Sequence, residues 1–330
     1  MRVLIVSNMW PTPERPALGS FVRDQVEALR AIDGLEVELF AFAPSGGLRP
    51  YLDAARELRR RYAGERFDLV HAHYGLTAWS ALALRGAPRV VTFHGTDLGH
   101  RVAGPLSRTV ARLVDVPATA SAWLARSPGA GLRGAGTTRR VAVLPCGLRM
   151  ERFERIDRRV ARERLGLDPD GRYLLFPADP ARPEKRHDRA AALARAAGAR
   201  LLSYDSTPPE HVPLLINAAH AMVVTSEREG FGLAALEALA CDVPVLATDV
   251  GIAPLALRGI AGTLAAPFDR DAWLAAVRPH LDQDDPRVAG RARAALFDSN
   301  RMAMRVFHAY RAIVEPEGSP GARSGPEPRI

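Results

Sequence analysis

The stretch Ser226-Glu227-Arg228-Glu229-Gly230-Phe231-Gly232-Leu233-Ala234-Ala235-Leu236-Glu237-Ala238-Leu239-Ala240 carries the signal for the fold class. An apolar, β-branched run from Ala221 to Thr225 precedes it, two glycines interrupt it, and its second half consists of strong helix formers. That order spells strand, glycine loop, helix. Glycines let a ligand approach the backbone closely. The free N–H groups of Gly232, Leu233 and Ala234, at the positive end of a helix, suit a phosphate, with Gly230 and Phe231 completing the loop. Once helical, Glu237 lies more than a turn inside and faces roughly where the loop faces. It can therefore bracket a hydroxyl-rich ligand together with Glu229. In general such a pair more often means an acid near a helix start and a solvated helix glutamate.

The same alternation extends in both directions. Short apolar runs recur at Arg2 to Ser7, Leu35 to Ala41, Asp68 to Ala72, Arg89 to Phe93, Val114 to Ala118 and Val141 to Leu144. A second series follows at Tyr173 to Phe176, Arg200 to Ser203, Ala221 to Thr225 and Val243 to Ala247. Such runs read as buried parallel strands. Residues such as Phe21, Val22, Val26 and Leu29 have the 3.6-residue spacing of crossover helices. The expected class is α/β, with two doubly wound sheets. The expected units are residues 1–155 and 156–299, with a last helix over 300–315 packing back on the first. Residues 316–330, rich in Pro, Gly, Ser and charge, are expected to be a disordered tail.

A chain of 330 residues with 47% hydrophobic content is long enough for two domains of roughly 150 residues. Its two cysteines, Cys146 and Cys241, lack the spacing of a zinc site or a disulfide framework, which points to a reducing, cytoplasmic setting. No window approaches the roughly 20 uninterrupted apolar residues of a membrane helix. The net charge of +8 resides in the first 150 residues, where 20 arginines face 12 acids. Part of it lies on Arg56-Glu57-Leu58-Arg59-Arg60-Arg61, a helical run suited to resting on an acidic membrane face or to being a solvated face. No aromatic residues interleave with it to stack bases, so nucleic acid is not an expected partner.

The E-x7-E pattern from Glu229 to Glu237, followed by Pro244-Val245-Leu246-Ala247-Thr248-Asp249-Val250-Gly251, resembles glycosyltransferase family four, of the retaining GT-B type. The resemblance covers nearly the whole chain. Ser7-Asn8-Met9-Trp10-Pro11 with Gly19-Ser20-Phe21-Val22 matches the family's first strand and glycine loop. Val70-His71-Ala72-His73-Tyr74-Gly75, Thr92-Phe93-His94-Gly95-Thr96-Asp97 and Val143-Leu144-Pro145-Cys146-Gly147-Leu148 stand where the family has its N-domain signatures. GT-B implies two facing Rossmann-like domains with a cleft between them.

By that resemblance Glu237 accepts hydrogen bonds from the nucleotide ribose, Glu229 meets hydroxyls of the donor sugar, and His94 contacts that sugar near the reacting carbon. Gly19 sits beneath the diphosphate. Lys185, the only lysine among 45 basic residues, would stabilise the leaving diphosphate as the sugar bond breaks. The family's usual Gly-Arg pair appears here as Ala178-Asp179, and Arg182 is the expected substitute for the missing cation. His71 and His73 are read as alternating on a strand so that only one faces the cleft, and His73 is favoured, for the acceptor side. Asp97 either binds acceptor hydroxyls or caps the turn. Phe21 and Val22 are read as core.

The expected reaction moves a sugar from a UDP- or GDP-sugar to an acceptor hydroxyl with retention of configuration. The acceptor is expected to be a lipid-linked or cell-envelope glycan. Peripheral contact with the inner membrane face would occur through the basic half. No metal and no cofactor are expected, because no cluster of Asp, Glu or His has ligand spacing and no D-x-D triplet is read as a divalent site. The alternative is a nucleotide-sugar-binding or scaffold protein that has lost turnover. A nicotinamide-dependent dehydrogenase is disfavoured, since no G-x-G-x-x-G follows the first strand.

Overall fold

A computed structural model describes residues 1–44, 46–127, 131–132, 140–204 and 207–315, so the expected tail at 316–330 lies outside the described residues. Its strands are β1 (Arg2–Ser7), β2 (Glu36–Ala41), β3 (Leu69–His73), β4 (Arg89–Phe93), β5 (Val116–Thr119), β6 (Ala142–Val143), β7 (Tyr173–Phe176), β8 (Arg200–Ser203), β9 (Ala221–Val224), β10 (Val245–Ala247) and β11 (Leu264–Ala265). The helices of the first half are α1 (Ser20–Arg30), α2 (Arg49–Arg61), α3 (Gly75–Ala81), α4 (Thr96–Gly99), α5 (Ala103–Val110) and α6 (Ala122–Arg126). Those of the second are α7 (Arg158–Arg164), α8 (His187–Ala196), α9 (Val212–Ala218), α10 (Leu233–Ala240), α11 (Ala253–Ala256), α12 (Arg270–Leu281), α13 (Arg291–Ala294) and α14 (Ser299–Val314).

The strands form two all-parallel sheets, in the order β2-β1-β3-β4-β5-β6 and β11-β10-β9-β7-β8. Parallel strands need crossover helices on both faces, which explains why their sequences are apolar throughout. In β1, Val3 and Ile5 enter the core beneath α1 and α14, while Leu4 and Val6 enter that beneath α2, α3 and α5. In β7, Leu174 and Phe176 pack with α8 and α12, while Leu175 packs with α9 and α10. The chain reverses its winding direction beside the first strand of each sheet, between β1 and β3 and between β7 and β9. Open α/β sheets bind ligands at such switch points, outside the carboxyl ends of the strands.

The chain passes from the first sheet to the second after β6 and returns through α14, and the two passages lie side by side. Leu148 N–H donates to Phe297 O at 2.8 Å and Ser299 N–H donates to Leu148 O at 2.9 Å. From there α14 begins with Met302 in the core of the second sheet and ends with Ala303, Val306 and Tyr310 in the core of the first.

Candidate active site

Loops at the carboxyl ends of both sheets, after β1, β4, β5, β6, β7 and β9, line a cleft of about 440 Å³. β1 is followed by the loop carrying Met9 and Ala17, and Gly19 then caps α1. Gly19 has φ 66°, and an added Cβ would stand 2.4 Å from Met9 O, so any side chain there would push this loop away. Gly19 does not itself line the cleft, whereas Phe21, two residues on, does. Phe21 packs against the cores of both sheets, as expected, but is only half-buried and also faces the cleft, its ring centroid 4.9 Å from that of His94. Its place in a helical stripe concealed that the first turn of α1 opens onto the cleft.

On the facing side, Arg182, Lys185, Glu229, Gly230, Phe231, Gly232, Leu233 and Glu237 all line the cleft, opposite His94. Gly232 caps α10 with φ 94°, a left-handed conformation that favours glycine. The N–H groups of the first turn therefore face the cleft with the positive end of the helix dipole. Lys185 Nζ donates to Glu229 Oε1 at 2.6 Å, and Ser226 Oγ donates to the same oxygen at 2.7 Å. Glu237, one turn into α10, has its carboxyl pushed up to about 7 by burial, opposed by Arg152. Arg182 is half exposed and forks onto Glu184 Oε1 at 3.0 and 2.6 Å. Asp179, where the family carries arginine, instead accepts from Ala181 N–H at 2.8 Å and closes its own turn.

The two halves touch at the cleft. Ser121 Oγ donates to Gly230 O at 2.7 Å, and a Cβ built on Gly230 would stand 1.8 Å from His94 O. Only glycine permits that approach.

Two histidine readings need correction. His71 and His73 do not face opposite ways: a strand repeats every two residues, so positions two apart share a face. Their ring centroids lie 4.4 Å apart. His73 is fully buried, with Nδ1 3.1 Å from His94 Nε2, so it is not available to an acceptor. Burial lowers the His73 imidazole to about 3 and holds His94 well below the ordinary histidine range. Asp97 is also fully buried and accepts from the backbone N–H groups of Gly75, His94, Gly95 and Leu98. It caps the turn that presents His94, and no surface is left for an acceptor hydroxyl. Burial raises its carboxyl to about 6 against the pull of those donors.

Several cleft residues carried no assigned role in the sequence. Ser226 and Arg228 sit inside the decisive loop, and Trp123 follows β5 on α6. A Cβ on Gly99 would stand 2.8 Å from the Arg228 guanidinium, so this cation reaches across from one half to the other. A basic residue within a ligand loop was the available signal. Two D-x-D triplets do occur, at 168–170 and 282–284, and neither lines the cleft. Asp170 pairs with Arg159 and Asp282 with Arg172. Among the described residues no group of His, Cys, Asp or Glu is disposed to hold a metal.

The description "Glycosyltransferase Family 4" matches residues 2–152, and "Glycosyl transferases group 1" matches residues 179–295. A D-inositol 3-phosphate glycosyltransferase of Mycolicibacterium paratuberculosis is 32% identical over 335 residues, covering 86% of this chain and 73% of that protein. The namesake of Geodermatophilus obscurus is 30% identical, covering 79% and 70%.

The chain belongs to glycosyltransferase family 4.

Solved structures agree on the GT-B fold of this glycosyltransferase. Sucrose-phosphate synthase of Thermosynechococcus elongatus superposes with a TM-score of 0.72 at 18% identity, covering 94% of this chain and 98% of that one. Anabaena HepE in complex with UDP and glucose superposes with a TM-score of 0.67 at 17% identity, covering 94% and 100%. Among the described residues no helix of the glycosyltransferase is long and apolar enough to cross a membrane.

Proposed function

We propose that this glycosyltransferase moves a sugar from a UDP- or GDP-sugar to an acceptor hydroxyl with retention of configuration, without a metal, in cell-envelope polysaccharide or glycolipid synthesis. The observation that carries the reading is the convergence of Lys185, Glu229 and the N-terminus of α10 in one cleft beneath His94. Lys185, the N–H groups of Gly232 to Ala234 and the first turn of α1 behind Gly19 offer fixed positive potential to a departing diphosphate. Such groups act most strongly where charge develops in the transition state. Arg182 is the second cation for that diphosphate. Glu237 takes the ribose hydroxyls and Glu229 those of the sugar, while His94 contacts the sugar from the opposite wall.

Attack from the face that the nucleotide leaves, through an ion-pair-like state, lets the departing phosphate accept the acceptor's proton. No protein base is then needed. The inositol phosphate named for the relatives makes a phosphorylated cyclitol a second acceptor class to test, and the excess positive charge of the first 150 residues suits either a phosphate or an acidic membrane face.

The test is a donor panel of UDP- and GDP-sugars with polyprenyl-phosphate-linked glycans and inositol 3-phosphate as acceptors, run with and without EDTA. The expected result is one productive pair, unaffected by EDTA, whose product keeps the donor's anomeric configuration by NMR. Tight nucleotide-sugar binding without turnover on any acceptor would leave a binding protein instead. An inverted product would remove the same-face mechanism.

A further inference from the structure

His94 is the visible end of a buried set of imidazoles. Its Nε2 lies 3.1 Å from His73 Nδ1, and the two rings stack with centroids 5.3 Å apart and an interplanar angle of 18°. Behind them both nitrogens of His71 are engaged, Nδ1 with Tyr310 Oη at 2.5 Å and Nε2 with Thr92 Oγ1 at 2.7 Å. His73 thus packs between a ring held from behind and the ring that faces the cleft. Its own Nε2 is buried and has no hydrogen-bond partner.

That vacancy decides the direction of the contact. The Nδ1 to Nε2 bond holds one proton. If His94 supplies it from Nε2, neutral His73 must carry its own proton on Nε2, leaving a buried N–H with no acceptor. If His73 supplies it from Nδ1, the unpartnered atom is a lone pair. Orphaned buried N–H groups are rarer in proteins than under-satisfied acceptors, and each costs its desolvation. A third arrangement, with a charged ring, is opposed by the burial that lowers the basicity of all three histidines.

We propose that His73 is a positioning residue that donates from Nδ1 to Nε2 of His94 and so fixes His94 as its Nδ1–H tautomer, which presents a hydrogen-bond donor to the cleft. The inference rests on the reading that seats the donor sugar against His94 and adds the sense of that contact. His94 then donates to a sugar oxygen and has no free lone pair with which to take the acceptor's proton. This complements a mechanism in which the departing phosphate takes it. The orienting partner of an imidazole sets which nitrogen carries the proton.

The test uses the full chain labelled with 15N-histidine and long-range 1H–15N correlation spectra, which distinguish the two neutral tautomers, with His94 assigned from a His94→Gln variant. Wild type is expected to show His94 protonated at Nδ1. His73→Leu removes the bond that fixes the tautomer, so His94 should populate a mixture of the two neutral forms and kcat should fall roughly tenfold to a hundredfold, with KM for the donor nearly unchanged. His73→Asn sets an amide N–H near the place of Nδ1–H and should restore both the tautomer and most of kcat. An Nε2–H tautomer in wild type overturns the proposal, as does a His73→Leu protein that keeps both tautomer and turnover. If the leucine variant does not fold, the wild-type spectrum and the asparagine variant still decide. A wild-type protein that transfers no sugar from any donor would defeat the proposed reaction, while its spectrum would still report the tautomer.

Discussion

Lys185 and Glu229, separated by 44 positions in sequence, form an ion pair at 2.6 Å with their side chains only 14% and 12% exposed. The pairing of β7 with β9 brings the two loops side by side, so the cation proposed for the diphosphate and the carboxylate proposed for the sugar touch before either meets a ligand. A partly buried charge that loses its partner is costly. An arriving diphosphate must therefore share Lys185 with Glu229 or draw it away.

Truncating either partner separates their roles. Lys185→Ala should lose a charge-assisted hydrogen bond of about 1.5 to 3 kcal/mol, and more in turnover than in nucleotide binding if the contact strengthens as the bond breaks. Glu229→Gln removes the competing charge and leaves Lys185 free for phosphate. It should bind UDP or GDP at least as tightly as wild type by titration calorimetry while transfer falls. Unchanged turnover in Lys185→Ala removes Lys185 from the mechanism, and weakened nucleotide binding in Glu229→Gln contradicts the competition.

The contact between the halves makes a steric prediction. Gly230→Ala introduces a Cβ 1.8 Å from His94 O, and backbone cannot yield as a flexible side chain does. The expected result is an opened cleft, seen as a larger radius of gyration in small-angle scattering, with transfer lowered by about a hundredfold through misplacement of the two walls. Thermal stability should change little, because each half retains its own core. Full transfer activity in this variant would show that the approach of Gly230 to His94 is not part of the working state.

Much of this architecture was legible because buried parallel strands leave unbroken apolar runs, and β1, β4, β7 and β8 coincide with the expected runs residue for residue. β11 was not legible: two residues, Leu264 and Ala265, make no run. The glycine loop revealed the phosphate end of the cleft through local chemistry alone. The opposite wall depended on tertiary contacts. Which face His73 takes follows from the strand repeat once applied correctly, but that its neighbour is His94 follows only from the pairing of β3 with β4. Composition also concealed a structural use of arginine. Arg158 and Arg162, on α7 just past the expected boundary at residue 155, are buried and donate to Ala219 O and Ala218 O at the end of α9. They satisfy carbonyls that a helix end leaves open.

The raised carboxyl of Glu237 makes nucleotide binding and stability depend on pH in opposite directions. An acid raised from the ordinary glutamate value to about 7 is neutral below that pH and ionised above it. Ribose hydroxyls donate best to the ionised form. Nucleotide affinity should therefore improve from pH 6 to pH 8, and binding at pH 7 should release protons, measurable by calorimetry in buffers of different ionisation enthalpy. Stability runs the other way: the advantage of the neutral carboxyl is complete below the unfolded value and is lost as pH rises through about 7. Glu237→Gln should accordingly flatten both profiles and raise Tm most above pH 7. A wild-type affinity profile no steeper than that of Glu237→Gln would remove Glu237 from the ribose.

The remaining prediction concerns the proposed membrane contact. α2 buries Tyr51, Ala54 and Leu58 and turns Leu52 outward, 58% exposed, beside Leu48 at 49%. α5, which packs with α2 on α3, is preceded by Val102 at 64% exposure. Five arginines on α2 face two acids, and although Arg56 pairs with Asp53 and Arg60 with Glu57, the helix keeps a positive excess. An anionic leaflet attracts such a segment by about 1 kcal/mol per basic residue near the surface, and salt screens it. The apolar residues add a contribution proportional to the area they insert. The chain should thus sediment with phosphatidylserine vesicles, be released by about 0.5 M salt, and ignore phosphatidylcholine vesicles. Arg59→Glu with Arg60→Glu should abolish sedimentation while donor hydrolysis in solution stays at the wild-type rate, because neither residue lines the cleft. Equal partition onto neutral vesicles would assign the contact to the leucines alone, and no partition onto either would make α2 a solvated face.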